Sequence, residues 1–207
     1  MGNKKKVITG RLTILIFIAA AGIFALCAKA VCHFTSFPVS ADCSNLATCI
    51  ADFYNQGRSF RQDMDIRIHD SAAIGEKTYV LMEIDGQLGS AVLTKSLISG
   101  GYKIESIGYG NVDFRESIIE NDGKSYLLLG GRDKGTDVAS MTFKFGGIPH
   151  EIQIPQEKNA SDGTFIVCAE IGRPTEDGHL DLNTLALYDS AGNNISDEVG
   201  WKSGGGF

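Results

Sequence analysis

Residues 78–97 read TYVLMEIDGQLGSAVLTKSL, and this stretch decides the fold. Two apolar runs, 78–84 and 90–97, flank Asp85-Gly86. Asp and Gly tolerate positive φ better than other residues, so the pair suits the centre of a tight turn whose twist matches that of paired strands. The stretch predicts an antiparallel hairpin. Working outward, Gly100-Gly101 leads into 102–109 (YKIESIGY), where Tyr102, Ile104 and Ser106 alternate with Lys103, Glu105 and Ile107. Residues 114–120 (FRESIIE) turn at Asn121-Asp122-Gly123 into 125–129 (SYLLL), closed by Gly130-Gly131. These runs make five candidate strands in an antiparallel meander.

A second set follows. Residues 138–145 (VASMTFKF) turn at Gly146-Gly147 into 148–154, where Ile148, Ile152 and Ile154 supply an apolar face. Residues 164–171 (TFIVCAEI) form the most apolar run and are expected to lie centrally. Residues 185–188 (LALY) reach a turn at 189–192 and return through Asn194-Ile195-Ser196. The fold class is mainly β (α+β): a meander or sandwich built on short strands and Gly-rich turns. A division into lobes 44–132 and 133–200 would fall at GRDKGTD, residues 131–137, with no long linker there.

One helix is expected before the strands. Leu46, Ala47, Ile50, Phe53 and Tyr54 recur at helical spacing, Asp42 or Ser44 can cap the first turn, and Gly57 suits the stop. So short a helix needs a partner for its apolar stripe. Residues 33–43 read as a spacer and 201–207 (WKSGGGF) as a tail expected to fray.

Charge divides the chain. Residues 1–30 hold five basic residues and no acid; the remainder has 14 Lys and Arg against 25 Asp and Glu, a net charge of −11. Nucleic-acid binding needs a basic patch, and none is present. Lys4, Lys5, Lys6 and Arg11 precede an uncharged run, 12–26 (LTILIFIAAAGIFAL), in which Leu12, Ile14, Leu15, Ile16, Phe17, Ile18, Ile23, Phe24 and Leu26 are the large apolar residues. Extended through Cys27 and Ala28 the run has 17 residues, near the lower limit for crossing hydrocarbon ~30 Å thick. Residues 1–32 therefore read as a signal-anchor or as a secretory signal cleaved after Ala30. Either route keeps the basic flank in the cytoplasm and puts the C-terminal domain outside the cell membrane.

Outside the cell, cysteines can pair. Cys43 and Cys49 are a candidate disulfide closing a short loop, unless one helix holds both and points their side chains apart. Cys168, in an apolar run, is expected as a buried thiol. Catalytic motifs are lacking: no GxSxG elbow, HExxH helix or phosphate loop occurs, and Gly108-Tyr109-Gly110 lacks the third glycine of a dinucleotide site. Glu116 with Glu120, and Asp63 with Asp65, read as solvated faces. Catalytic residues stay unassigned. One acidic stretch gathers oxygen ligands about Gly178: Glu176, Asp177, Asp181 and Asn183, a weak Ca²⁺ candidate that misses the full EF-hand spacing. No other cofactor is expected.

The phrases Gly89-Ser90-Ala91-Val92-Leu93, Gly101-Tyr102-Lys103-Ile104-Glu105-Ser106, Gly123-Lys124-Ser125-Tyr126-Leu127 and Tyr188-Asp189-Ser190-Ala191-Gly192-Asn193 lie within 78–196. In layout the chain resembles small uncharacterised proteins of Gram-positive bacteria, with one N-terminal apolar segment and an extracytoplasmic β-rich domain. The resemblance implies location and class and carries no activity. The expected function is a non-enzymatic binding or accessory protein of the cell envelope, meeting the membrane through its N-terminal helix and an envelope protein partner through its domain. The alternative is an envelope-associated hydrolase whose site is assembled from distant residues.

Overall fold

A computed structural model describes residues 18–31, 36–132, 135, 137–154, 163–172, 180–199 and 206–207, with 180–183 and 199 described by backbone only. Residues 18–31 are helical (α1). Then come α2 (Leu46–Asn55), β1 (Ile66–Ile74), β2 (Lys77–Ile84), β3 (Gln87–Lys95), β4 (Tyr102–Gly110), β5 (Phe114–Asn121), β6 (Lys124–Arg132), β7 (Val138–Phe145), β8 (Ile148–Gln153), β9 (Thr164–Gly172), β10 (Leu180–Asp189) and α3 (Ser196–Val199). The protein is mainly β, with three antiparallel sheets: sheet I in the order β1-β2-β3-β4, sheet II β5-β6-β9 and sheet III β10-β7-β8.

The turns follow their residues. Asp85 and Gly86 have φ of 50° and 79°, and Asp122 and Gly123 of 50° and 72°, the double positive φ of a primed hairpin turn. The first joins β2 to β3 with Ile84 opposite Gln87, and the second joins β5 to β6 with Asn121 opposite Lys124.

Alternation assigns the faces. Val80, Met82 and Ile84 of β2 join Leu46 and Ile50 of α2 in one apolar cluster, while Tyr79 and Leu81 turn to the other face and meet Leu128 and Ile166 of sheet II. On β6, Leu128 faces sheet I, whereas Leu127 and Leu129 pack with Met141, Phe143 and Phe145 of sheet III. The layers thus run α2, sheet I, sheet II, sheet III. Each such buried Leu, Ile or Phe contributes ~1.5–3 kcal/mol over its exposed state. β6 is apolar on both faces because it lies in the middle layer.

Three expectations change. β1 was not foreseen as a strand; a bulge between Ile68 and Asp70 breaks its alternation and hides the period of two. The meander ends at β4, because β5 and β6 leave for sheet II. Residues 164–171 form the outer strand β9 rather than a central one; its apolar run records a layer covered on both faces, since Phe165 packs toward sheet III and Ile166 toward sheet I. The return through Asn194 is a single bridge to Tyr188, followed by α3. β9 pairs with β6 across the junction at 131–137, Thr164 standing opposite Arg132.

The last two described residues are docked rather than frayed. Gly206 O accepts from the Arg115 guanidinium at 3.3 Å, and Phe207 N donates to Ser117 Oγ at 2.8 Å. The Phe207 ring lies edge-on to Tyr79, with centroids 6.3 Å apart, between sheets I and II. Gly130 makes the room: a Cβ there would stand 2.6 Å from the ring.

Candidate functional site

The side chains of α2 divide between two tasks. Leu46 and Ile50 enter the core and Cys49 and Phe53 pack against its edge, so that Cys49, Asp52, Phe53 and Gln56, at i, i+3, i+4 and i+7, line a groove beside β4. Pro38, Lys103 and Ile104 complete its walls, and its volume is about 480 Å³. The Cys49 thiol donates to Pro38 O at 3.5 Å. Partial burial, then the Asp52 carboxylate, pushes its pKa up, so the neutral thiol is favoured over the thiolate.

β4 is the outer strand of sheet I. At its start Val39 adds one residue of extra strand: Val39 N donates to Tyr102 O at 3.1 Å, and Tyr102 N donates to Val39 O at 2.9 Å. An outer strand offers unpaired backbone groups to another extended chain. The groove thus combines a strand edge, an apolar floor of Phe53 and Ile104, and two charged walls, Lys103 and Asp52, the latter paired with Arg61 Nη2 at 2.6 Å.

Local electrostatics hold the neighbouring strands. Glu105 accepts from Thr94 Oγ1 at 2.6 Å and meets Lys77 Nζ at 3.0 Å; these two contacts, the hydroxyl's first, hold its carboxyl below the usual range. Before α2, Asp42 Oδ1 accepts from Ser40 Oγ at 2.6 Å, Ser44 Oγ at 2.8 Å and Ser44 N at 3.1 Å. These bonds hold Asp42 at about 2. Asp42 therefore orders the loop ahead of the helix, and N-cap Asn45 makes no capping bond with its side chain.

A charged cluster lies between sheets I and II. Glu83 Oε2 stands 2.7 Å from Arg132 Nη2 and 3.5 Å from His69 Nε2. His69 occupies the β1 bulge, which aims it inward; its side chain is 8% exposed. The shorter contact belongs to Arg132, so the cluster works as a clamp between sheets. His150 is elsewhere, stacked on Phe143 of sheet III at 5.5 Å. His179 lies outside the described residues. Arg115 is buried at 5% exposure; its Nε donates to Leu88 O at 3.4 Å, and burial pulls its pKa down.

Other expected site residues resolve as follows. Cys43 and Cys49 are free thiols, Cys43 preceding α2 at φ 55° and Cys49 lying within it, so the expected disulfide is not formed. Cys168 is exposed rather than buried, although it shares the face of β9 that carries Ile166. Glu116 is half-buried on β5, not on a solvated face. Glu176 and Asp177 lie outside the described residues, and Asp181 and Asn183 are described by backbone only, with Asp181 opposite Lys144. Among the described residues no group of three or more His, Cys, Asp or Glu could hold a metal ion. Of the apolar N-terminal run, Leu12, Ile14, Leu15, Ile16 and Phe17 lie outside the described residues, while Ile18, Ile23, Phe24 and Leu26 are exposed on α1. Among the described residues no helix is long and apolar enough to cross a membrane.

The groove itself was missed in the sequence. Its signal was available as the Cys49, Asp52, Phe53, Gln56 spacing, which runs along the edge of the apolar stripe of α2. No family model, curated protein or solved structure matches the chain.

Proposed function

We propose that the chain is a membrane-anchored extracytoplasmic β-domain that binds an envelope protein, with an extended segment of that partner lying along β4 in the α2–β4 groove. The observation that carries the anchoring is α1. Phe24 and Leu26 are 76% and 70% exposed, and every residue of 18–31 is exposed. A wholly exposed apolar helix is unfavourable in water and suits lipid. Its 14 described residues span about 21 Å. The uncharged run begins six residues earlier, at Leu12, and basic residues precede it. The binding role is supported by the β4 edge, where Val39 already makes the pairing that a partner strand would extend.

Two measurements test this. A reporter fused at the C-terminus is expected to be active outside the cell and to fractionate with membranes; a reporter facing the cytosol refutes the assignment. A mature form starting at Val31 in the medium replaces anchoring by secretion. For the groove, Gln56→Trp, which fills it from an exposed position, is expected to abolish cross-linking to the envelope partner without unfolding the domain, and unchanged cross-linking places the partner elsewhere.

The hydrolase alternative is favoured by one contact, His69 to Glu83 at 3.5 Å. Loss of envelope-polymer hydrolysis in Glu83→Gln, with the fold intact, would transfer the assignment to it.

A further inference from the structure

Among the described residues the most exposed adjacent apolar pair is Leu97 and Ile98, at 89% and 81%, side by side in the β3–β4 turn. Their exposure is held by the backbone. Ser96 N donates to Gly101 O at 2.7 Å, and Ser96 Oγ accepts from the N–H groups of Ile98 and Ser99 at 3.2 and 3.1 Å. Such a closed turn cannot fold its tip back onto the sheet.

The turn is fastened to the stretch that follows the apolar helix. Val39 pairs with Tyr102, and a Cβ at Gly101 would lie 2.6 Å from Val39 O, so glycine permits this close approach. Eight peptide steps lead from Val31, the last described residue of α1, to Val39, a reach of at most about 28 Å. If α1 is in the bilayer, Val39 and the β3–β4 turn beside it are therefore tethered within about 30 Å of the bilayer surface. Lys95 flanks the tip, and among the described residues no ion pair involves it. Elsewhere residues 31–207 carry an excess of acid.

Resting on the anchored reading, we infer that this turn dips into the outer surface of the bilayer. Leu97 and Ile98 enter among the lipid headgroups, and Lys95 meets lipid phosphate. An apolar tip flanked by a basic side chain suits this boundary, where one end of the site is greasy and the other anionic. The contact fixes the domain's orientation and leaves the acidic remainder pointing away from the lipid. Phe60 supplies an internal comparison. It is 88% exposed, but it lies toward the opposite end of sheet I, five residues before Asp65, which donates its N–H to Asp85 Oδ1 in the β2–β3 turn.

The test uses the full chain in vesicles of equal phosphatidylcholine and phosphatidylglycerol with brominated acyl chains. A Trp201→Phe background removes the single native tryptophan, and Leu97→Trp or Phe60→Trp then supplies the fluorophore. Leu97→Trp is expected to shift to the blue and lose most of its emission to bromine, while Phe60→Trp keeps its own. Equal emission from the two, in vesicles that retain the protein on flotation, overturns the dipping turn and leaves the anchor standing. Failure to float with the vesicles overturns the anchor and the dipping turn together.

Discussion

Phe207 is expected to be energetically coupled to Gly130, and the coupling can be measured. The ring is half-buried, edge-on to Tyr79, and fills the space left by the missing Gly130 side chain. Truncating a fully buried Phe costs ~3–5 kcal/mol, so Phe207→Ala, from half burial, should cost about 2 kcal/mol. In the native background a Gly130→Ala methyl would stand 2.6 Å from Phe207 Cζ and 2.8 Å from Leu81 Cδ1. That overpacking should cost ~1–3 kcal/mol. With Phe207 already truncated, only the rotatable end of Leu81 obstructs the methyl, and the cost should fall below ~1 kcal/mol. The double mutant should thus be about 1 kcal/mol more stable than the two single penalties predict. Urea unfolding of the full chain in mild detergent, followed by circular dichroism, reads all four corners of the cycle. Penalties that add to within ~0.5 kcal/mol would show that the ring does not occupy the Gly130 notch.

Three further outcomes follow from contacts described above. Arg132→Met leaves Glu83 partly buried beside His69 alone and is expected to destabilise by ~1–3 kcal/mol, whereas Arg67→Met, whose exposed pair with Asp65 is 3.1 Å long, should cost below ~1 kcal/mol; equal effects would refute the clamp. Asp42 is depressed from an ordinary 3.8 to about 2, so the stability it adds is present above about pH 4 and lost as pH falls through 2. Its carboxyl carbon should titrate near 2 by NMR, and Ser40→Ala should move that midpoint upward; a midpoint of 3.8 in the parent contradicts the hydrogen bonds drawn here. Burial raises the pKa of both Cys43 and Cys49, so both thiols should alkylate at neutral pH more slowly than a free cysteine, and mass analysis without reductant should find both modified.

The hairpins were legible because their chemistry is local. Asp85-Gly86 and Asp122-Gly123 specify a turn whatever surrounds them, and α2 declares itself through one apolar stripe. The arrangement of sheets was not, because nothing in residues 110–114 distinguishes a hairpin loop from a crossing to another layer. β1 was hidden by its bulge, where His69 turns inward and the alternation of Ile66 and Ile68 is lost. The run in β9 was read as central when it signals cover on two faces, a property set by sheets I and III rather than by strand order. The α2–β4 groove joins residues about fifty positions apart, so its floor of Phe53 and Ile104 exists only once sheet I has formed.

The late arrival of β9 beside β6 sets an order of events for synthesis. Arg132 must wait for Thr164, and until then the leucines of β6 lack a neighbour on one side. Pairing across so many residues carries a large loop-closure cost and slows folding. A growing polypeptide would hold this apolar ribbon open while about thirty more residues follow. Stalled or clipped products ending near Arg132 are therefore the species most prone to aggregate, and a chaperone would find its natural client there rather than in the finished protein.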